Sequence, residues 1–300
     1  MRPPVPDPPK EDTQTWQMIA AGAATDDPGT VEAVALVTTA SYISNLDTTV
    51  EDREADGVRY FVATPVRHSP DDPRVLLFLH GGGFTFGGGP TARKSTQILA
   101  GCYEMVTWGV DYRQLPDAPF PAGLDDCVAV YMQLLESHGP EEIFIGGQSG
   151  GANLCAALLL RLHDEGIPFP AAAALVSPPA DFTEAGDTYV TNSFTLGEGG
   201  LTNMADFYRG DFDLDHPYVS PLFGTFGPDF PPVILTTGTR DFLLSDTVRL
   251  HRKMLKAGMQ AELHVWEAAP HGMFGGRTPE DQEVVDQNRK FFDSVWNPGN

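Results

Sequence analysis

Short apolar runs alternate with helix-like segments along most of the chain, and this alternation restricts the fold more than any other feature. The run Val75–Leu79 is apolar throughout and lies between Pro73 and Gly81, as expected for a strand buried on both faces. Further strands are predicted at 58–62, 105–110, 143–145, 171–176, 233–237 and 262–266, with helices at 122–136, from 150 through Arg161, 245–257 and 280–295. The alternation predicts an α/β fold whose mostly parallel sheet has helices on both faces.

Two segments do not follow this alternation of strands and helices. Residues 1–50 are predicted to form a proline-rich arm (1–10) and cap helices at 11–24 and 31–47. Residues 180–225 separate two predicted strands and hold eight acidic residues, many aromatic residues and a single basic one, Arg209. Insertions of this length usually cover the strand ends. We therefore expect one main domain, 51–300, with a helical cap at about 180–225 joined by the N-terminal helices.

Charge and cysteine content exclude several classes of protein. The 41 acidic and 19 basic residues give a net charge of −22, which disfavours nucleic acid and anionic membranes as partners. No apolar run approaches the roughly 18 residues of a membrane span. Three widely spaced cysteines and the lack of a basic, apolar leader indicate a cytoplasmic protein without a disulfide framework. No metal-binding or dinucleotide-binding pattern is found, so we expect no metal and no cofactor.

The glycine-rich sequence around Ser149 carries the strongest chemical signal. Gly147, Ser149 and Gly151 form the pattern G-x-S-x-G. An apolar run precedes it and an alanine- and leucine-rich segment follows, so the pattern predicts a strand, a sharp turn and a helix. Such a turn lifts the serine hydroxyl above the sheet, which makes Ser149 the candidate nucleophile. The alternative is a glycine-rich turn that contains a serine by chance.

A serine hydroxyl reacts only when a base takes its proton. His271 lies on the loop after the last predicted strand, where such a base is expected. If it is the base, activity should rise as His271 loses its proton. The alternative is a histidine of a surface loop.

The base needs a carboxylate that orients it. Asp241 follows the predicted strand 233–237, whereas Asp246 lies one helical turn later and is interpreted as a charge or cap at a helix N-terminus. The order Ser149, Asp241, His271 is that of hydrolases built on this type of sheet. A capping role for Asp241 is the alternative.

A run of glycines directly after strand Val75–Leu79 predicts a site that stabilises negative charge. Acyl transfer places charge on a carbonyl oxygen, and backbone N–H groups are the usual stabilisers. In the segment His80–Phe84, His80 is expected to order the loop. The expected donors are the N–H groups of Gly82, Gly83 and Gly150.

A phosphate-binding loop is a rival interpretation of a second glycine run. Gly87–Ser95 contains three glycines and Lys94, but Arg93 stands where a phosphate loop has glycine. The acidic surroundings also disfavour a polyphosphate ligand. We therefore reject this interpretation.

Together these blocks resemble the hormone-sensitive-lipase-like carboxylesterases, the bacterial type IV family of the α/β-hydrolase superfamily. The matching segments are His80–Phe84, Asp111–Ala122, Gly147–Asn153, Asp241–Asp246 and His271–Met273. The resemblance spans roughly residues 58–296 and implies an eight-stranded sheet with a helical cap. Gln148 departs from the pattern, since the family usually has an aspartate beside the nucleophile.

The resemblance implies a serine carboxylesterase that hydrolyses small-molecule esters with short to medium acyl chains through an acyl-enzyme. The same site could hydrolyse lactones, as in the similar monoterpene ε-lactone hydrolases, or amides and carbamates. A ligand-binding receptor is a further alternative, because the plant gibberellin receptors resemble this family but have lost the histidine that is present here as His271. Members of the family often form homodimers. The aromatic, acidic insertion favours a neutral or cationic, partly apolar substrate.

Overall fold

An eight-stranded sheet runs through the part of the chain that the structure, a computed structural model, describes: residues 47–192, 202–275 and 278–297. Its strands are β1 (Thr48–Ala55), β2 (Val58–Pro65), β3 (Val75–Leu79), β4 (Val106–Val110), β5 (Ile143–Gln148), β6 (Ala172–Val176), β7 (Val233–Gly238) and β8 (Ala261–Trp266). The spatial order is β1-β2-β4-β3-β5-β6-β7-β8. Strands β1 and β2 pair antiparallel, as do β2 and β4, and all other pairs are parallel.

Helices cover both faces of the sheet. In the described ranges they are α1 (Pro90–Tyr103), α2 (Ala122–Leu135), α3 (Gly150–Glu165), α4 (Thr188–Thr191), α5 (Thr202–Tyr208), α6 (Leu244–Lys256) and α7 (Pro279–Trp296), with short 3₁₀ turns at Pro140–Glu142 and Pro221–Phe223. Helix α3 is buried over most of its length and contacts β3, β5, β6 and α2. A helix enclosed in this way explains its nearly uninterrupted alanine and leucine content.

The predicted strands β2 to β8 and the predicted helices α2, α3, α6 and α7 are confirmed, with boundaries that shift by a few residues. Strand β1 and helix α1 were not predicted. Most side chains of β1 face solvent, so the strand lacks the apolar alternation by which strands are recognised. The turn that joins it to β2 has the sequence Asp56-Gly57, and both residues have positive φ, at 51° and 80°. The predicted arm 1–10 and the helix 11–24 lie outside the described residues, as does 31–47 except its last residue.

The parallel strands bring distant parts of the chain to one edge of the sheet. Strands β3, β5, β6, β7 and β8 all end at this edge, where the loops that follow them lie close together. In open parallel sheets, ligands bind beyond the carboxyl ends of the strands. The candidate residues, which lie on the loops after β3, β5, β7 and β8, are therefore expected to meet.

The insertion between β6 and β7 is tied to the core by buried polar groups. Asn153 of α3 donates hydrogen bonds to the carbonyls of Pro179 (2.8 Å) and Val219 (2.9 Å), near the two ends of the insertion. Tyr208 of α5 stacks on Phe84 with 3.6 Å between the ring centroids. The insertion thus lies directly against the glycine loop that follows β3.

The three cysteines, all within the described ranges, form no disulfide. Cys127 and Cys155 are buried, whereas Cys102 is partly exposed. Along the described ranges, no helix has both the length and the apolar content needed to cross a lipid bilayer.

The expected position of Asp246 at the start of helix α6 is confirmed, whereas a capping role for its side chain is wrong. The carboxylate lies in the first turn of the helix but accepts hydrogen bonds from the N–H groups of Ala180 (2.9 Å) and Asp181 (2.9 Å) and from the hydroxyl of Tyr189 (2.8 Å). It therefore anchors the insertion to α6. Burial raises the pKa of Asp246 to about 7, although the three donors oppose the shift and nearby Asp181 adds to it. Asp181 itself pairs with Arg249 at 2.6 Å.

Replacing Asp246 with Asn should change how the free energy of unfolding depends on pH. Because the folded-state pKa of Asp246 is raised, its contribution to stability is present at acidic pH and is lost as the pH rises through about 7. Asn carries no charge to bury, so we expect D246N to gain about 2 to 3 kcal/mol relative to the native chain between pH 5 and 8. Urea unfolding at several pH values measures this difference. Identical pH dependence of D246N, native protein and the exposed control Asp211→Asn would contradict the assignment.

Candidate active site

Ser149 lies on a sharp turn between β5 and α3. Its backbone has φ 53° and ψ −124°, a strained conformation for a residue with a side chain, and its N–H donates to the Val176 carbonyl at 2.8 Å. A Cβ on Gly147 would overlap the backbone of Gly151, and one on Gly151 would overlap the carbonyl oxygen of Leu79. The two glycines let the turn pass close to β3 and present the hydroxyl above the sheet.

His271 is hydrogen-bonded on both sides of its ring. Its Nε2 lies 2.9 Å from Ser149 Oγ, and its Nδ1 lies 3.0 Å from Asp241 Oδ1. An ionised carboxylate only accepts hydrogen bonds, so Nδ1 carries the proton and Nε2 accepts the serine hydroxyl. The ring also packs against Phe242, with 4.5 Å between the centroids. This tautomer prepares Nε2 to take a proton from the serine.

Asp241 is a fully buried carboxylate with several donors. Oδ2 accepts from the hydroxyl of Thr237 at 2.9 Å, and Oδ1 accepts from the N–H of Leu243 at 2.9 Å. The Ser177 hydroxyl faces the same carboxylate and helps to lower its pKa. Burial alone would raise the pKa of Asp241, but the His271 ring, Ser177 and Leu243 together lower it below its usual value. Asp241 therefore stays ionised at neutral pH despite its burial.

The glycine loop after β3 packs against the serine turn. A Cβ built on Gly81 would lie 3.5 Å from Ser149 Cβ, and one on Gly150 would lie 3.5 Å from Gly83 N. Within the described residues, the N–H groups of Gly82, Gly83 and Gly150 have no hydrogen-bond acceptor. Such groups beside a serine hydroxyl can bind an oxygen that becomes negatively charged.

His80 orders this loop, as the sequence predicted. Its ring stacks on Tyr112 with 4.1 Å between the centroids, and the Tyr112 hydroxyl donates to the His80 carbonyl at 2.7 Å. The ring is buried, and desolvation lowers the pKa of His80 to about 4, against the opposing effects of the Gly81 carbonyl and Asp111. The neutral, buried ring of His80 therefore holds the glycine loop in place.

The structure brings all six predicted site residues together at the carboxyl edge of the sheet. Sequence reasoning missed several residues that hold them in place. They are Ser177 and Thr237, which bond Asp241, Phe242, which packs on His271, and Asn192, which donates to the Asp241 carbonyl at 2.9 Å. Ser177 could have been found, since it directly follows β6 and so lies at the same sheet edge.

Comparison with known proteins shows the family to which the chain belongs. A family defined by the alpha/beta hydrolase fold matches residues 76–275. The chain belongs to the alpha/beta hydrolase fold family. It is 34% identical to an acetyl-hydrolase of Streptomyces hygroscopicus over 218 residues, which cover 71% of this chain and 73% of the relative.

Two further relatives extend the similarity. An esterase of Acinetobacter venetianus is 28% identical over 229 residues, covering 74% of this chain and 75% of the relative. The crystal structure of an esterase from the bacterial hormone-sensitive lipase family superposes with a TM-score of 0.84 at 28% identity, covering 97% of this chain and 100% of that one. Within the family, this hydrolase is one of the hormone-sensitive-lipase-like carboxylesterases, as the sequence motifs predicted.

Replacing Gly151 with Ala should disrupt the serine turn. The added Cβ would overlap the carbonyl oxygen of Leu79 and lie 2.5 Å from that of His80, and neither backbone atom can move without shifting β3 or the glycine loop. We expect a fall in melting temperature and loss of most esterase activity. Gly146→Ala is the matched control, since its Cβ would lie at ordinary contact distances, 3.4 Å from a flexible Leu76 methyl and 3.8 Å from the Ala174 carbonyl oxygen. Equal melting temperatures and activities in the two variants would contradict this account of the turn.

Proposed function

We propose that this carboxylesterase uses Ser149, His271 and Asp241 as a catalytic triad. Ser149 Oγ attacks the ester carbonyl carbon while His271 Nε2 takes the hydroxyl proton. His271 then gives that proton to the leaving alcohol, and an acyl group remains on Ser149. Water repeats the sequence and releases the acid. The observation that carries the proposal is the continuous pair of hydrogen bonds from Ser149 through His271 to Asp241, at 2.9 and 3.0 Å.

The N–H groups of Gly82, Gly83 and Gly150 would bind the oxygen that becomes negative as the serine attacks. Two observations support this role. The glycine loop contacts the start of α3, and in the described ranges these three N–H groups have no protein acceptor. Donors held in place before the reaction need no rearrangement when charge develops. The loss of one such donor costs a hundredfold or more in rate, an order of magnitude known from other hydrolases.

Asp241 would hold the His271 ring in the reactive tautomer and stabilise its positive charge. The network around the carboxylate supports this role because it lowers the pKa of Asp241 in a fully buried position. The carboxylate is then charged whenever the imidazole accepts a proton from the serine.

We further propose that the insertion at 180–225 is a cap that limits the acyl chain to short or medium length. Its Tyr208 stacks on Phe84 beside Gly83, so an aromatic layer lies next to the proposed oxyanion site. Phe182 contacts both rings, with centroids 6.2 Å from Phe84 and 6.0 Å from Tyr208. The acetyl-hydrolase similarity also favours a small acyl group.

Hydrolysis of p-nitrophenyl acetate, butyrate and decanoate by the native protein and by Ser149→Ala tests the proposal. We expect turnover of the acetate and butyrate, much slower turnover of the decanoate, and loss of activity in S149A. Residual activity of S149A on all three esters would contradict a serine mechanism. Preference for the decanoate would contradict the proposed cap. Lactones and amides with matched acyl groups would show whether the site prefers these alternatives.

Asp241→Asn should leave the fold intact but remove the charge that orients His271. Because an amide can donate to Nδ1, the ring would expose a protonated Nε2 to Ser149, and the base would be lost. We expect kcat to fall on the order of 10³- to 10⁴-fold with little change in KM. The exposed Asp211→Asn controls for the change in net charge. A D241N enzyme with native kcat would remove Asp241 from the mechanism.

A further inference from the structure

The peptide groups on either side of Gly272 are held by two side chains that the mechanism above does not use. Gly272 directly follows His271 and has φ 73°, in the left-handed region. Its N–H donates to Ser177 Oγ at 3.3 Å, and its carbonyl accepts from Gln148 Nε2 at 3.1 Å. A Cβ on Gly272 would lie 2.5 Å from that same nitrogen, so the amide of Gln148 approaches closely because the residue is glycine.

Ser177 connects the loop of His271 to Asp241. Its side chain is fully buried, its φ is 51°, and its N–H donates to the Thr236 carbonyl of β7 at 2.8 Å. The hydroxyl accepts a hydrogen bond from the Gly272 N–H at 3.3 Å and faces the Asp241 carboxylate, whose pKa it helps to lower. One oxygen atom thus fixes the acid and the base loop relative to each other.

Gln148 connects the loop of His271 to Ser149. It is the last residue of β5 and the direct neighbour of Ser149 along the chain. The Gly272 carbonyl can only accept a hydrogen bond, so the partner must be a donor, which an amide provides and an ionised carboxylate does not. A glutamine at this position therefore makes a contact that a carboxylate could not make at neutral pH.

We propose that Gln148 and Ser177 are positioning residues that hold the peptides around Gly272 from two sides and thereby set the distance between His271 and Ser149. The inference rests on the proposed triad. Gln148 fixes the His271 loop relative to Ser149, and Ser177 fixes it relative to Asp241. The two hydrogen bonds that His271 itself makes are then aligned before substrate binds. Loss of either contact should reduce kcat more than it raises KM, because the alignment matters for proton transfer rather than for substrate binding.

Gln148→Met and Gln148→Glu test one side of this arrangement. Methionine keeps the length of the side chain but removes the donor, and we expect kcat to fall about three- to tenfold with KM unchanged, the range for one hydrogen bond. Glutamate also places a negative charge beside His271, in addition to that of Asp241. Since a negative charge favours the protonated imidazole, the acid limb of the kcat/KM profile should move up by about half to one pH unit. Gln97→Glu, which adds the same charge next to Lys94 on α1, should leave both quantities unchanged.

Ser177→Ala tests the other side. It removes both contacts of the hydroxyl, so we expect a fall in kcat of about tenfold or more. The acid limb of the kcat/KM profile should also change, because Asp241 loses a group that lowers its pKa. A melting curve of each variant separates loss of activity from loss of folding. Gln148 is exposed, so its variants keep the proposal testable even if S177A does not fold.

The outcomes distinguish failure of the positioning role from failure of the triad. An inactive S149A with Gln148 variants that keep the native kcat and pH profile would overturn the positioning role and leave the triad intact. An active S149A would overturn the triad itself, whatever the Gln148 variants do. A drop in melting temperature without a change in kcat or pH profile would show that Gln148 and Ser177 only stabilise the fold, which would also overturn the proposal.

Discussion

The site depends on how closely the turn at Ser149 approaches strand β3. Gly147 and Gly151 leave no room for a side chain, and the backbone of Ser149 is held at φ 53° between them. Such a conformation persists only when its surroundings determine it, and the parallel pairing of β5 with β3 and β6 does so here. Ser149 therefore lies beside the loop that follows β3, and its hydroxyl bonds to His271 on the loop that follows β8. Every other element of the site is arranged around this fixed point.

Two buried aspartates five residues apart show how the surroundings set the charge. Asp241 is bonded by Thr237, Leu243, Ser177 and the His271 ring, and its pKa lies below the usual value. For Asp246 desolvation prevails, and its pKa rises to about 7 even though it accepts three hydrogen bonds. The groups that face each carboxylate make the difference: the His271 ring donates a hydrogen bond to Asp241, whereas Asp246 faces the acidic Asp181. The first arrangement suits a group that must carry charge, and the second suits one that ties the insertion to α6.

The six candidate residues could be predicted from the sequence because each lies in a short local pattern next to a strand end. The glycines around Ser149 indicate the turn, and the order of Ser149, Asp241 and His271 along the chain indicates the type of sheet. Strand β1 could not be predicted in the same way, since its mostly exposed side chains leave no apolar alternation. The partners of Asp246, Gln148 and Ser177 are 57 to 124 positions away or on separate loops, so no local pattern encodes those contacts. Pairing of distant loops is a property of the folded chain.

The proposed mechanism requires Ser149 to form a covalent acyl-enzyme. The mass of the native protein after rapid mixing with p-nitrophenyl butyrate and acid quenching, followed by peptide mapping, tests this step. We expect a butyryl group on the peptide that contains Ser149, formed within one turnover and lost as substrate runs out. Turnover without any acylated peptide, or a butyryl group on another residue that forms and decays at the catalytic rate, would contradict it.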